Sequence, residues 1–87
     1  MAPAGPAEVV AEFTIQPFVE GRMEPHVAAG VEAARASGLA VEVGPFGTGL
    51  AGPRAEVLDV LVDVVNAAID AGARGVQVKL EVPSEAR

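Results

Sequence analysis

The strongest constraint on this chain is the way its hydrophobic period switches along its length. In Val9–Phe18, VVAEFTIQPF, the apolar residues Val9, Ala11, Phe13 and Ile15 alternate with Glu12, Thr14 and Gln16. A period of two belongs to a strand with one buried face. From Pro25 to Ser37 the period lengthens, and Val27, Val31 and Ala34 fall on one side of a helix. Leu39–Val43 returns to alternation, with Leu39, Val41 and Val43 on the core side and Ala40 and Glu42 away from it. A short strand at Thr48–Ala51 precedes a second, strongly apolar helix running from Pro53 to Ala71. In the last strand Val76, Val78, Leu80 and Val82 alternate with Gln77, Lys79 and Glu81, and Pro83 stops it.

The punctuation between these segments supports the same division. Pro25 and Pro53 suit a first helical turn, where a missing N–H costs nothing. Glu24 brings negative charge to the exposed N–H groups of the first helix, and Gly52 is a tolerated N-cap for the second. Gly38 and Gly72 stand where left-handed C-caps are wanted. Gly30, inside the first helix, costs about 1 kcal/mol against Ala, which points to close packing there. The order strand, helix, strand, strand, helix, strand is the split βαβ arrangement. The expected fold is therefore α+β: a ferredoxin-like βαββαβ sandwich, with a four-stranded antiparallel sheet carrying two helices on one face. Residues 1–87 are expected to make a single domain, with 1–7, which hold two prolines, as a frayed start.

Composition narrows function by exclusion. The net charge of −6 argues against nucleic-acid binding, which depends on Lys and Arg neutralising phosphates. It is compatible with a cationic small molecule, although charge also serves solubility alone. The chain has no cysteine, so neither a disulfide nor a thiolate metal site can staple it. The start, MAPAGPAE, lacks the basic and apolar regions of a signal peptide, and no apolar run is long enough to span a membrane. The cytoplasm is the expected compartment. About half the residues are hydrophobic (51%) in a short chain, an excess that self-association would hide.

The second helix carries part of that excess. Leu58, Leu61, Val62, Val65 and Ile69 suffice to cover a sheet, and Asp59, Asp63, Asn66 and Asp70 form a wet strip. Val57, Val60 and Val64 make a further stripe, expected to be an oligomer contact. The stretch GPFGTG at Gly44–Gly49 matches neither dinucleotide nor P-loop spacing, and no Lys follows it. It fits a hairpin, with small residues flanking Thr48 and leaving backbone open to a close neighbour. Strict alternation with Leu50 would turn Thr48 toward the core, and a glycine bulge would turn it back. His26 has no nucleophile near it, and the carboxylates form no metal-ligand pattern, so neither a catalytic nor a metal site is expected. On its residues alone, His26 is an exposed polar group at a helix start.

Three stretches together resemble the thiamine-binding protein family, the YkoF-like group. They are AEFTIQP at Ala11–Pro17, SGLAVEVGPFGT at Ser37–Thr48 and AGARGVQVKLEV at Ala71–Val82. The likeness covers Glu8 to Val82 in the right order and spacing. It implies a ferredoxin-like domain that pairs into dimers or tetramers. It also implies binding of thiamine or its hydroxymethylpyrimidine part without catalysis, in thiamine salvage or transport. Two places depart from the family pattern. The hairpin that usually reads P-M-G-T followed by Glu-Gly has Phe46 for Met and Ala51 for Glu. The loop that commonly carries Ser-Pro-Tyr has Glu24, Pro25 and His26, which adds His26 to the positions that would bear on the ligand.

The residues suit such a ligand. An aminopyrimidine needs a donor–acceptor edge and a flat apolar face. Glu12, Thr14 and Gln16 offer hydrogen-bonding groups on the first strand, and Gly47 and Thr48 offer more on its expected neighbour. Phe46 supplies a ring face that also suits a cation. The only small-molecule partner expected is a thiamine-like ligand, with no separate cofactor. Two other readings stay open on the sequence: an oligomeric interaction module without a ligand, and a small enzyme on the same fold, such as a dimeric oxygenase or an acylphosphatase-type hydrolase.

Overall fold

A computed structural model describes residues 7–18 and 22–83 of the chain. The expected frayed start at 1–7 falls almost wholly outside them, as does part of the loop before the first helix. The elements run β1 (Val9–Gln16), α1 (Pro25–Ala36), β2 (Ala40–Val43), β3 (Thr48–Gly52), α2 (Arg54–Asp70) and β4 (Gly75–Glu81). The strands form one antiparallel sheet in the order β2-β3-β1-β4. Both helices cover one face of it, so the βαββαβ sandwich expected from the switching period is what forms.

Alternation in β1 decides which face is which. Val9, Ala11, Phe13 and Ile15 are buried, while Val10 and Glu12 between them are exposed. The register carries this across the sheet. Phe13 sits beside Thr48 on one side and Val78 on the other, and Ala11 sits beside Leu50 and Leu80. Burying Phe13 alone contributes roughly 1.5–3 kcal/mol. The core is completed by Val31 and Ala34 of α1 and by Val57, Val60, Leu61, Val64 and Ala68 of α2.

Gly30 lies where α1 meets both β1 and α2. A Cβ there would collide with the Cδ1 of Ile15 and lie 3.4 Å from a methyl of Val64. The end of the Ile15 side chain therefore fills the space beside Gly30, and a side chain here would have to displace it. Both C-cap glycines take positive φ, 81° at Gly38 and 107° at Gly72.

The helix starts differ from expectation in one respect. Gly52 remains in β3, paired with Val9, and Pro53 is the N-cap of α2. Pro53 has extended backbone, and its carbonyl accepts from Val57 N–H at 2.9 Å. The cap that Gly52 cannot supply comes from a distance, since the Arg54 N–H donates to Glu8 Oε1 at 2.6 Å. A carboxylate at a helix start also suits the helix dipole.

The packing of α2 corrects a second expectation. Val57, Val60 and Val64 are not an oligomer stripe; they lie in the monomer core. Leu58 and Ile69 are exposed instead, and Val62 is 60% exposed. The buried set 57, 60, 61, 64 and 68 has the same spacing as the expected set 58, 61, 62, 65 and 69, turned one residue about the axis. Periodicity cannot choose between them. Packing against α1 does, because Val64 must fill the space beside Gly30.

Candidate functional site

A cavity of about 270 Å³ opens at one end of the sandwich, between the sheet and α1. Three structural elements converge on it. The end of β1 contributes Thr14 and Ile15, the first turn of α1 contributes Val27, and the β2–β3 hairpin contributes Val43, Gly44, Pro45, Gly47 and Thr48. Phe18 and Met23, from the connection between β1 and α1, add apolar wall. The lining is mainly apolar, with the hydroxyls of Thr14 and Thr48 as its short polar groups and Arg22 as its charged member. The Arg22 guanidinium is well exposed and pairs with Glu24 at 3.3 Å.

The hairpin that closes this end is held by its own backbone and by β1. Gly44 N–H donates to the Gly47 carbonyl at 2.8 Å, and Thr14 Oγ1 donates to the Phe46 carbonyl at 3.3 Å. Gly47 explains part of the glycine content. A Cβ on it would lie 3.1 Å from Glu12 Oε2, 3.2 Å from the Phe13 carbonyl oxygen and 3.2 Å from Thr14 Oγ1. The close neighbour that needs bare backbone is thus the protein's own β1. Thr48 takes the inward direction that strict alternation gives. It is 4% exposed, paired with Phe13 and Val43, and it lines the cavity.

The outer face of the sheet carries a second, shallower depression, lined by Glu12, Thr14, Phe46, Gln77, Val78 and Lys79. Its polar residues follow from register, since Glu12 sits beside Lys79 and Thr14 beside Gln77. The candidate residues therefore divide. Gly47 and Thr48 face the enclosed cavity, Glu12 and Phe46 face the outer depression, and Thr14 borders both.

Two candidates fall outside both. Gln16 lies over Gly75, the residue paired with it across the sheet, with its Oε1 3.0 Å from where a Cβ of Gly75 would be. His26 Nε2 donates to the Pro17 carbonyl at 2.7 Å and so ties the end of β1 to the start of α1. Among the described residues no three His, Asp or Glu side chains gather as metal ligands, and no helix is long and apolar enough to cross a membrane.

Reading the sequence for polar groups overlooked the apolar walls at Phe18, Met23, Val27 and Val43. One signal did exist: Phe18 and Phe46 are two of three aromatic residues and stand at strand ends beside loops.

A family model for thiamine-binding proteins matches residues 11–86. Among solved structures, a domain of unknown function, DUF77, from Bacillus cereus is 28% identical, with a TM-score of 0.69 over 94% of this chain and 80% of that one. A hypothetical protein of Methanocaldococcus jannascii, MJ1052, is 26% identical, with a TM-score of 0.66 over 87% of this chain and 78% of its own. A Thermotoga maritima protein provisionally assigned to thiamine biosynthesis or salvage shares the fold, at 24% identity and a TM-score of 0.67 over 90% of this chain and 84% of that one. No curated protein sequence matches the chain.

Proposed function

Because the chain belongs to the thiamine-binding protein family, we propose that it binds thiamine or its hydroxymethylpyrimidine moiety in the cavity between β1, the hairpin and α1. The observation that carries this reading is the cavity itself, about 270 Å³ of mainly apolar wall with two threonine hydroxyls. Drug-sized ligands occupy roughly 300–1,000 Å³, so this space suits a single substituted ring. Phe13, Phe18 and Val27 give the flat face an aminopyrimidine needs. Thr48 can donate and accept toward its nitrogen edge, and Thr14, whose hydroxyl donates to the Phe46 carbonyl, can accept. The charged thiazolium of thiamine would stay toward the open side, in reach of water, where the Arg22 guanidinium is already paired with Glu24.

Binding is the whole of the activity in this reading. The Thr14 hydroxyl donates to the Phe46 carbonyl and His26 is engaged with Pro17, so neither forms the nucleophile–base pair of covalent catalysis. The chain acts in the cytoplasm as a homo-oligomer, in thiamine salvage or transport. Neither Gln16 nor His26 is part of the ligand contact; His26 acts on the site only by fixing the start of α1.

The test is calorimetric titration with hydroxymethylpyrimidine and with thiamine, on the unmodified protein and on Thr48→Val. The expected result is saturable binding that Thr48→Val weakens at least tenfold, about 1.4 kcal/mol. Equal affinity in the two proteins would remove Thr48, and with it this cavity, from the site.

A further inference from the structure

We propose that the ligand of this cavity is a phosphate monoester of hydroxymethylpyrimidine, with the ring enclosed and the phosphate held at the mouth by the Arg22 guanidinium. This rests on the cavity reading above and specifies the chemical class of its ligand.

The charge on the cavity wall is opposite to that of the molecule. The chain has 12 Asp and Glu against 6 Lys and Arg. Yet among the described residues Arg22 is the one charged side chain lining the cavity, and no carboxylate lines it. A neutral ring needs no charge there, and a cation is repelled by a guanidinium. An anionic group is what an arginine in that place favours. The Arg22 side chain is 71% exposed, and its Nη2 meets Glu24 Oε2 at 3.3 Å. An exposed pair of this kind is weak. A phosphate monoester carries about −1.5 to −2 charge at pH 7 and three acceptor oxygens. The planar fork of a guanidinium suits two of them at once. The phosphate can therefore take Arg22 from Glu24 with little loss. Glu24 then stands close to the anion and opposes it, which makes it the residue that limits affinity.

The place of the guanidinium also matches the shape of the ligand. The pose above sets the ring among Phe13, Phe18 and Val27, with its nitrogen edge toward Thr48. The carbon that bears the hydroxyl is the one through which thiamine carries its thiazolium. Whatever is attached to that carbon leaves by the open side. Arg22 and Met23 line the cavity from the connection before α1, and both are well exposed, so they stand at that side. The cavity of about 270 Å³ suits one substituted ring. Esterification adds its charge outside that space, at Arg22, without enlarging what must be enclosed. A thiazolium in the same place finds a guanidinium with which it cannot pair. The mouth that tolerates thiamine thus selects the ester.

The test is calorimetric titration of the unmodified protein with the phosphate monoester, with hydroxymethylpyrimidine itself and with inorganic phosphate. The ester should bind roughly tenfold tighter than the alcohol or better, a gain typical of a charge-assisted guanidinium contact. Inorganic phosphate, which lacks the ring, should bind far more weakly than the ester. The advantage of the ester should shrink as added salt screens the exposed guanidinium. Arg22→Gln should bring ester and alcohol to equal affinity. Arg22→Lys, which keeps the charge without the fork, should restore part of the difference, and Glu24→Gln should enlarge it. An ester that binds no tighter than the alcohol, or a preference that survives Arg22→Gln, would overturn this proposal and leave the cavity reading in place. Failure of both ester and alcohol to bind would overturn the two together.

Discussion

Thr48 is the residue on which the proposed chemistry turns. It is buried in a strand, paired with Phe13, and it lines a mainly apolar wall. Thr48→Val keeps the shape and removes the donor and acceptor, so ligand affinity should fall while the fold persists. Glu8 offers a contrasting case at the same scale. Its carboxylate caps α2 through the Arg54 N–H, across a sequence separation of 46. Glu8→Ala should cost about 1 kcal/mol of stability, as other lost N-caps do, and lower the melting temperature by roughly 4–8 °C. Ligand affinity should not change, because the cap lies outside the cavity lining. Gly47 joins the two roles. Gly47→Ala would press a Cβ against the Phe13 carbonyl and the Glu12 and Thr14 side chains. It should loosen the hairpin and weaken ligand binding more than it weakens the fold, which titration and thermal melting of the same sample would separate.

At the scale of elements, α2 is the most instructive. Its apolar arc is wide enough to bury either of two stripes, one residue apart. Val64→Ala should cost about 2 kcal/mol, from lost burial and the cavity left behind, whereas Val62→Ala should cost less than about 0.5 kcal/mol. Chemical denaturation of the two variants reads the rotation of the helix directly, at a protein concentration where the oligomeric state is constant. Gly30→Val should cost on the order of 1–3 kcal/mol, since Ile15 and Val64 leave no room for it.

The order of elements, the C-cap glycines and the buried face of β1 were legible because each rests on local rules: periods of two and 3.6, and the backbone freedom of glycine. The rotation of α2 was not legible, because it is set by Gly30 on another helix. The distant cap from Glu8 was hidden for the same reason. The cavity was legible only in part. Thr14, Gly47 and Thr48, polar or open positions in the sequence, line it. Phe18 and Val27 were missed as site residues, because nothing local distinguishes a wall residue from a core residue. Gln16 and His26 do not line the cavity: Gln16 lies over Gly75, and His26 donates to the Pro17 carbonyl.

At the scale of the molecule, the sandwich leaves one end open as a cavity, lined by β1, the hairpin and the start of α1. A ligand that binds only the folded state adds stability as RT ln(1 + [L]/Kd), about 2.7 kcal/mol at a hundredfold excess over Kd. Hydroxymethylpyrimidine should therefore raise the melting temperature of the unmodified protein and raise that of Thr48→Val much less. The most direct single measurement is calorimetric titration of the unmodified protein with hydroxymethylpyrimidine. The account predicts saturable binding, one ligand per chain, at micromolar or tighter affinity, about −8 kcal/mol or better. No heat of binding and no thermal shift, with this compound or with thiamine, would contradict it.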